Sequence, residues 1–321
     1  MTHAKIPVRV ERVVHPATEV SVFELVRPDG SALPAWEPGA HVDLHLPSGL
    51  VRQYSLCGDP ANRRSYRLGI LRDTAGRGGS LEACDKLAPG TSLSIGEPRN
   101  HFPLKDAEDY VFVAGGIGIT PILTMVRAAQ RANKPWQLVY GGRTRASMAF
   151  LDEIAQYAPE RVRIVPQDKC GLIDLGAIVD AAGPGTAIYS CGPAVMLTAL
   201  EQVCDQAGKR SQLHVERFSA PPSTPQDGAA PPAHAFKVEL AKSGFTLDVA
   251  ADRSLKSVLQ EAGISVPFSC EEGYCGSCET AVLSGEPEHH DCVLSPEEKA
   301  EGKFMMVCVG RCRSERLVLD L

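Results

Sequence analysis

Cys270, Cys275 and Cys278 stand in the order C-x4-C-x2-C, and Cys308 follows after 29 further residues. Thiolates at these intervals hold a [2Fe–2S] cluster. Two irons each need two thiolates, so a tight loop must wrap one side of the cluster while a distant segment closes the other. Gly273 and Gly276 let backbone amides approach the sulfurs, which tunes the reduction potential. Two other chemistries compete for these residues: a zinc site, and thiols that only fill a core. Zinc favours paired C-x2-C knuckles, and the chain has one such pair. Cys292 and Cys312 compete with Cys308 for the fourth position. Cys308 is expected within an apolar strand that begins Phe304-Met305-Met306-Val307, where a ligand is held rigidly. Cys312, beyond Gly310-Arg311, is expected to be a bystander. Six of the eleven cysteines lie between Cys270 and Cys312. A disulfide framework would spread them, and a cytosolic chain keeps its thiols reduced.

A second set of residues suits a nucleotide. Gly115-Gly116-Ile117-Gly118-Ile119-Thr120-Pro121 follows a strand-like run and opens a helical one. Glycines there let a pyrophosphate reach backbone amides at a helix N-terminus. The spacing is not G-x-G-x-x-G. The acidic residue expected after the second strand is also missing, because Tyr140 is followed by Gly141-Gly142-Arg143-Thr144-Arg145. Alone, the motif reads equally well as a glycine turn. Its companion is Cys191-Gly192-Pro193, at the end of another strand and the start of another helix. Both lie at strand C-terminal ends, where open α/β sheets bind ligands. Gly76-Arg77-Gly78-Gly79-Ser80 precedes a short helix and suits a terminal phosphate. His289-His290, in an acidic stretch, reads as surface.

These residues need elements to hold them. Residues 1–104 are rich in strand-like alternation, as in Val42–Leu46 and Tyr66–Leu71, with one short helix near 80–87. That pattern predicts a closed antiparallel β-barrel. From 105 to 218, strands at 111–114, 137–140, 162–165, 187–190 and 214–218 alternate with helices at 120–132, 146–157, 172–182 and 193–207, which predicts an α/β domain around a parallel sheet. Residues 219–234 are rich in Pro, Ala and Ser and read as a linker. Residues 235–321 form a last domain: a hairpin about Ser243-Gly244, a capped helix at 254–263, the cysteine loop and two closing strands.

The chain has 321 residues, 44% hydrophobic, enough for two or three domains with cores of their own. Its net charge of −6 argues against nucleic-acid binding. Residues 235–321 hold 15 acidic and 9 basic residues, so the whole excess lies in the last quarter. That surplus suits docking on a basic partner or a plain solvated face. No apolar run approaches the roughly 18–20 residues needed to cross a bilayer. A soluble, cytoplasmic, monomeric protein is expected.

The stretch Cys270-Glu271-Glu272-Gly273-Tyr274-Cys275-Gly276-Ser277-Cys278 resembles plant-type ferredoxins, which are β-grasp folds. GGIGITP with a later CGP resembles the ferredoxin–NADP reductase superfamily, as does Arg52-Gln53-Tyr54-Ser55. With the domain order, nearly the whole chain resembles the phthalate dioxygenase reductase and vanillate demethylase reductase family. The resemblance implies FMN at Arg52, Gln53, Tyr54, Ser55, Gly69, Ile70, Leu71, Gly78, Gly79 and Ser80, with Phe218 stacked on its ring. It implies NADH at Gly115, Gly116, Gly118, Thr120, Pro121, Arg143, Cys191, Gly192 and Pro193. Ser55, Thr120 and Cys191 would position the hydride. Arg52 would pair with the phosphate through its two-pronged guanidinium. The resemblance further implies electron flow from NADH through FMN and [2Fe–2S] to a separate Rieske-type oxygenase. A stand-alone electron-transfer protein serving another acceptor, such as a cytochrome P450, is the competing function. A structural zinc protein is the non-enzyme alternative.

Overall fold

The computed structural model describes residues 5–219 and 234–321. The chain forms two compact units that divide after Phe218. The linker expected at 219–234 lies, apart from its two end residues, outside the described residues.

In the first unit β1 (Ile6–Ala17) turns Ile6, Val8 and Val10 inward and Arg9 and Glu11 outward, the alternation of a strand with one wet face. It is joined by β2 (Val20–Val26), β3 (His41–His45), β4 (Val51–Ser55), β5 (Ser65–Leu71) and β6 (Ser92–Ile95). The antiparallel order is β4-β3-β6-β1-β2-β5. Past the end of β4, the Cys57 N–H donates to the Arg67 carbonyl at 2.9 Å and Leu56 bridges Leu68, so the two edges meet and the sheet closes. Val8, Val42, Leu44, Leu56, Leu68 and Ile95 fill the interior, and α1 (Gly79–Lys86) adds Ala83.

The chain then alternates: β7 (Asp109–Gly115), α2 (Ile119–Arg131), β8 (Trp136–Gly142), α3 (Leu151–Ile154), β9 (Val162–Pro166), α4 (Gln167–Cys170), α5 (Leu175–Ala181), β10 (Thr186–Cys191), α6 (Ala194–Gln206) and β11 (Leu213–Glu216). The sheet is parallel throughout in the order β11-β10-β7-β8-β9. Strand order therefore reverses between β7 and β10, the crevice where such sheets take ligands. Phe112 and Ala114 face α2 and share one core with Val20, Val22, Cys57 and Phe102 of the barrel. Val113 faces the other way, with Val179 of α5 and Leu200 of α6. The single helix expected over 146–157 is absent. A capping box between Thr144 and Ser147 closes a short turn first, and Phe150 sits at φ 64°, a left-handed break before α3. β11 also ends at Glu216, short of Phe218.

The second unit opens with β12 (Phe236–Leu240) and β13 (Phe245–Val249), turned at Gly244, where φ is +72°. Ser254 caps α7 (Leu255–Glu261) by accepting from the Ser257 amide. There follow β14 (Glu279–Ser284), β15 (Pro287–Glu288), α8 (Pro296–Glu301), β16 (Phe304–Met306), β17 (Arg311–Cys312) and β18 (Arg316–Leu319). The main sheet runs β13-β12-β18-β14-β16, with the first and last strands of the unit, β12 and β18, parallel. It grips the apolar side of α7, Leu255, Val258 and Leu259, in a β-grasp arrangement. Cys308 is not within a strand as expected. β16 stops at Met306, whose carbonyl accepts the amides of Val309 (3.3 Å) and Gly310 (2.9 Å), and that turn lifts Cys308 out of the sheet.

Candidate functional site

In the second unit the four cysteines at cluster spacing are all buried, none more than 7% exposed. The Cys270 N–H donates to Cys275 Sγ and the Glu272 N–H to Cys270 Sγ, each at 3.4 Å. Left-handed backbone at Glu271, Gly273 and Gly276 makes this winding possible. Hydrogen bonds from the Cys275 and Cys308 thiols, then from the Glu272 and Tyr274 amides, hold the Cys270 thiol far below its usual range. Buried sulfurs bonded to amides are the donor set an iron–sulfur cluster requires, so the residues present fit the group. Cys312 is buried too, but its thiol lies 3.2 Å from Ser314 Oγ and faces the Arg316 carbonyl. Cys292 is exposed.

In the first unit, β7 and β10 end side by side, with Ala114 opposite Cys191. The turns beyond them touch backbone to backbone. A Cβ on Gly118 would lie 2.3 Å from the Cys191 carbonyl oxygen, and one on Gly192 3.0 Å from Gly115 Cα. Gly115 is equally filled, by Pro193, whereas Gly116 at φ +55° faces open space. Pro121 is buried in the first turn of α2. The Thr120 hydroxyl is committed to the Ile117 carbonyl at 2.9 Å, and its methyl lies against Gly69 of the barrel.

β4 reaches the same place. Ser55 at its end donates to Glu216 Oε2 at 3.5 Å, and Glu216 pairs with Cys191 across β11 and β10. Ser55, Cys191 and Glu216 thus converge from three strands. Glu216 keeps some accessible surface, but the surrounding protein pushes its carboxyl up to about 8, against the Ser55 hydrogen bond that lowers it. Burial, and then the Glu216 charge, holds the Cys191 thiol well above its usual range, so it is a neutral thiol and no nucleophile. Glu216 was not singled out from sequence. Its signal is a carboxylate closing a strand, Leu213-His214-Val215-Glu216, at a sheet's ligand-binding edge.

Farther along β4, Arg52 crosses the start of α1. Its Nη2 donates to the Arg77 carbonyl at 3.1 Å, and a Cβ on Gly79 would lie 2.5 Å from Arg52 Cγ. Gly78 at φ +81° opens α1 with no side-chain cap. A guanidinium beside uncapped amides fits a phosphate. Ser80 turns to Asp73, whose amide donates to its hydroxyl at 3.2 Å. Tyr54 packs partly on the barrel core and Gln53 is half-buried. Ile70 is buried in that core, so only its backbone is available, while Leu71 is half-buried. Phe218, 37% exposed, lies past β11. Arg143 is not drawn into the convergence: its side chain is 76% exposed and 3.9 Å from Glu19.

These sites define an oxidoreductase that joins a nicotinamide, a flavin and a [2Fe–2S] cluster on one chain. The model of the 2Fe-2S iron–sulfur cluster binding domain matches residues 238–313, and that of the oxidoreductase NAD-binding domain residues 112–202. The chain is 40% identical over its whole length to the phenoxybenzoate dioxygenase subunit beta of Ectopseudomonas oleovorans, covering 98% of it. It is 37% identical to the phthalate dioxygenase reductase of Burkholderia cepacia, over 95% of this chain and 94% of that one. A solved phthalate dioxygenase reductase superposes with a TM-score of 0.71 at 35% identity, over 99% of this chain and 98% of that one. A type IV self-sufficient cytochrome P450 monooxygenase superposes at 0.90 with 40% identity over 99% of this chain, which spans 41% of that longer protein. The chain belongs to the phthalate dioxygenase reductase and vanillate O-demethylase oxidoreductase family, the one its motifs resemble.

Proposed function

We propose that this chain is the reductase component of a two-component Rieske-type oxygenase, a monomer that carries electrons from NADH through FMN and [2Fe–2S] to the oxygenase. When bound, a flavin would supply two-electron acceptance from a nicotinamide and the cluster one-electron transfer onward. The observation that carries the reading is the meeting of Ser55, Cys191 and Glu216, which brings the barrel's β4 to the crevice of the parallel sheet. There Ser55 offers a hydroxyl to the flavin edge, and Cys191 supplies a small neutral wall for the nicotinamide. Gly118 and Gly192 keep the two turns close enough to seat it. Arg52 and the α1 amides hold the flavin phosphate. Cys270, Cys275, Cys278 and Cys308 hold the cluster. Among the described residues no helix is long and apolar enough to cross a membrane.

The test is direct. Heat-released flavin should run as FMN on chromatography, and NADH should bleach the flavin and then the cluster under anaerobic conditions. The family resemblance favours NADH, whereas Arg143, exposed after β8, stands where a 2′-phosphate could be met; NADPH should be used more slowly than NADH, and Arg143→Ala should lower kcat/KM for NADPH alone. FAD on the column, or a preference for NADPH, would overturn that assignment. The likeness to a self-sufficient P450 supports a second reading, in which a haem protein accepts the electrons. Turnover with a Rieske oxygenase and with a P450, each driven by this reductase, separates the two.

A further inference from the structure

The cluster loop 270–278 and the turn bearing Cys308 are far apart in sequence, and one segment touches both. Pro287 and Glu288 of β15 pair with Cys312 and Arg311 of β17, just beyond Cys308. Four residues later the Cys292 N–H donates to the Gly273 carbonyl at 2.9 Å. Gly273 has no room for a side chain. A Cβ there would meet Val309 Cγ2 at 2.7 Å on one side and Asp291 Cα at 3.1 Å on the other. Residues 287–294 therefore form a strap across the two ligand-bearing segments.

Asp291 organises the strap. Its side chain is 1% exposed, and its Oδ2 accepts the amides of Val293 (3.1 Å) and Leu294 (2.9 Å). Lys299 donates to the Asp291 carbonyl at 2.5 Å and lies 3.8 Å from Oδ2, while His289 Nδ1 stands 3.6 Å from Oδ1. A buried carboxylate with two amides and a lysine fixes one geometry, and groups that orient metal ligands this way change cluster affinity when removed.

We propose that Asp291 is a positioning residue for the [2Fe–2S] cluster: through the strap it presses Gly273 toward the Cys308 turn and sets how tightly, and at what potential, the cluster is held. The proposal rests on the assignment of the four cysteine ligands. In the full-length protein, Asp291→Ala should lose the visible absorbance of the cluster to an iron chelator about ten times faster than the parent. Asp291→Asn keeps an oxygen for the two amides but removes a negative charge, so its midpoint potential should move positive. Asp248→Ala, on the far edge strand with an 82% exposed side chain, should change neither. Parent-like decay in Asp291→Ala, or a parent-like potential in Asp291→Asn, overturns the proposal, and the second measurement decides if Asp291→Ala does not fold. A parent protein without matching iron and acid-labile sulfide would instead strike the ligand assignment itself.

Discussion

Gly118→Ala should slow hydride transfer while leaving the barrel and its flavin in place. The added methyl carbon would stand 2.3 Å from the Cys191 carbonyl oxygen and 2.7 Å from the Gly192 nitrogen, where ordinary contact begins at 3.4 Å. Neither neighbour is a flexible side chain. The two turns must part by about 1 Å, a displacement that costs on the order of 100-fold in rate when it falls on groups that align reactants. Opening the ends of β7 and β10 also weakens one or two ladder hydrogen bonds, at roughly 1 kcal/mol each. Gly116→Ala is the matched control. Its Cβ meets nothing within 4 Å, so its cost is the left-handed backbone at φ +55°, about 1–2 kcal/mol, with no displacement of the turns. Anaerobic stopped-flow bleaching of the flavin by NADH reads the rate, and thermal unfolding reads the stability. Gly118→Ala should be far slower than Gly116→Ala although both are destabilised to a similar degree. Equal rates in the two variants would refute the claim that this backbone contact seats the nicotinamide.

Two more outcomes follow from the sites. The Glu216 carboxyl, pushed up to about 8 by burial, lies above its ordinary 4.5, so the fold is most favoured below 4.5 and loses stability as the pH rises through about 8. Glu216→Gln should abolish that slope, whose ceiling is about 5 kcal/mol; chemical denaturation at pH 5 and pH 8.5 checks it, and identical slopes in parent and variant would sink it. Cys308→Ser should lose the cluster while Cys312→Ser keeps it, as read by iron, acid-labile sulfide and the EPR signal of the reduced protein; full cluster content in Cys308→Ser would move the fourth ligand elsewhere.

What the sequence made legible is what is local. C-x4-C-x2-C, GGIGITP and CGP each sit on one turn, and their glycines either take the left-handed region (Gly273, Gly276, Gly116) or leave no room for a side chain (Gly118, Gly192), so motif and geometry arrive together. Helix and strand periodicity marked the parallel sheet well, except at 146–157, where a residue with no left-handed preference, Phe150, takes that conformation because the turn at Thr144–Ser147 has already closed. The strand assigned to Cys308 failed for a related reason: an apolar run continues past Met306, but a single carbonyl accepting two amides ends the strand there.

The residues that escaped sequence reasoning are those whose role lies in a partner far along the chain. Glu216 looks like an ordinary strand residue until β4 brings Ser55, 161 positions earlier, within reach. Asp291 looks like one more charge in an acidic stretch until its carboxylate is found buried against Lys299 and its backbone against Gly273. Both are carboxylates, and composition counts them as solvated surface. Inside a fold the same group must be paired or protonated, and the two cases divide along that line. Asp291 is paired, so it can hold a geometry. Glu216 receives a long hydrogen bond from Ser55, and burial shifts its protonation instead. One carboxylate therefore serves as a fixed anchor in the cluster unit and the other as a group poised to change charge beside the crevice between β7 and β10. The distinction rests on their hydrogen-bond partners, which no pattern of residue types along the chain contains.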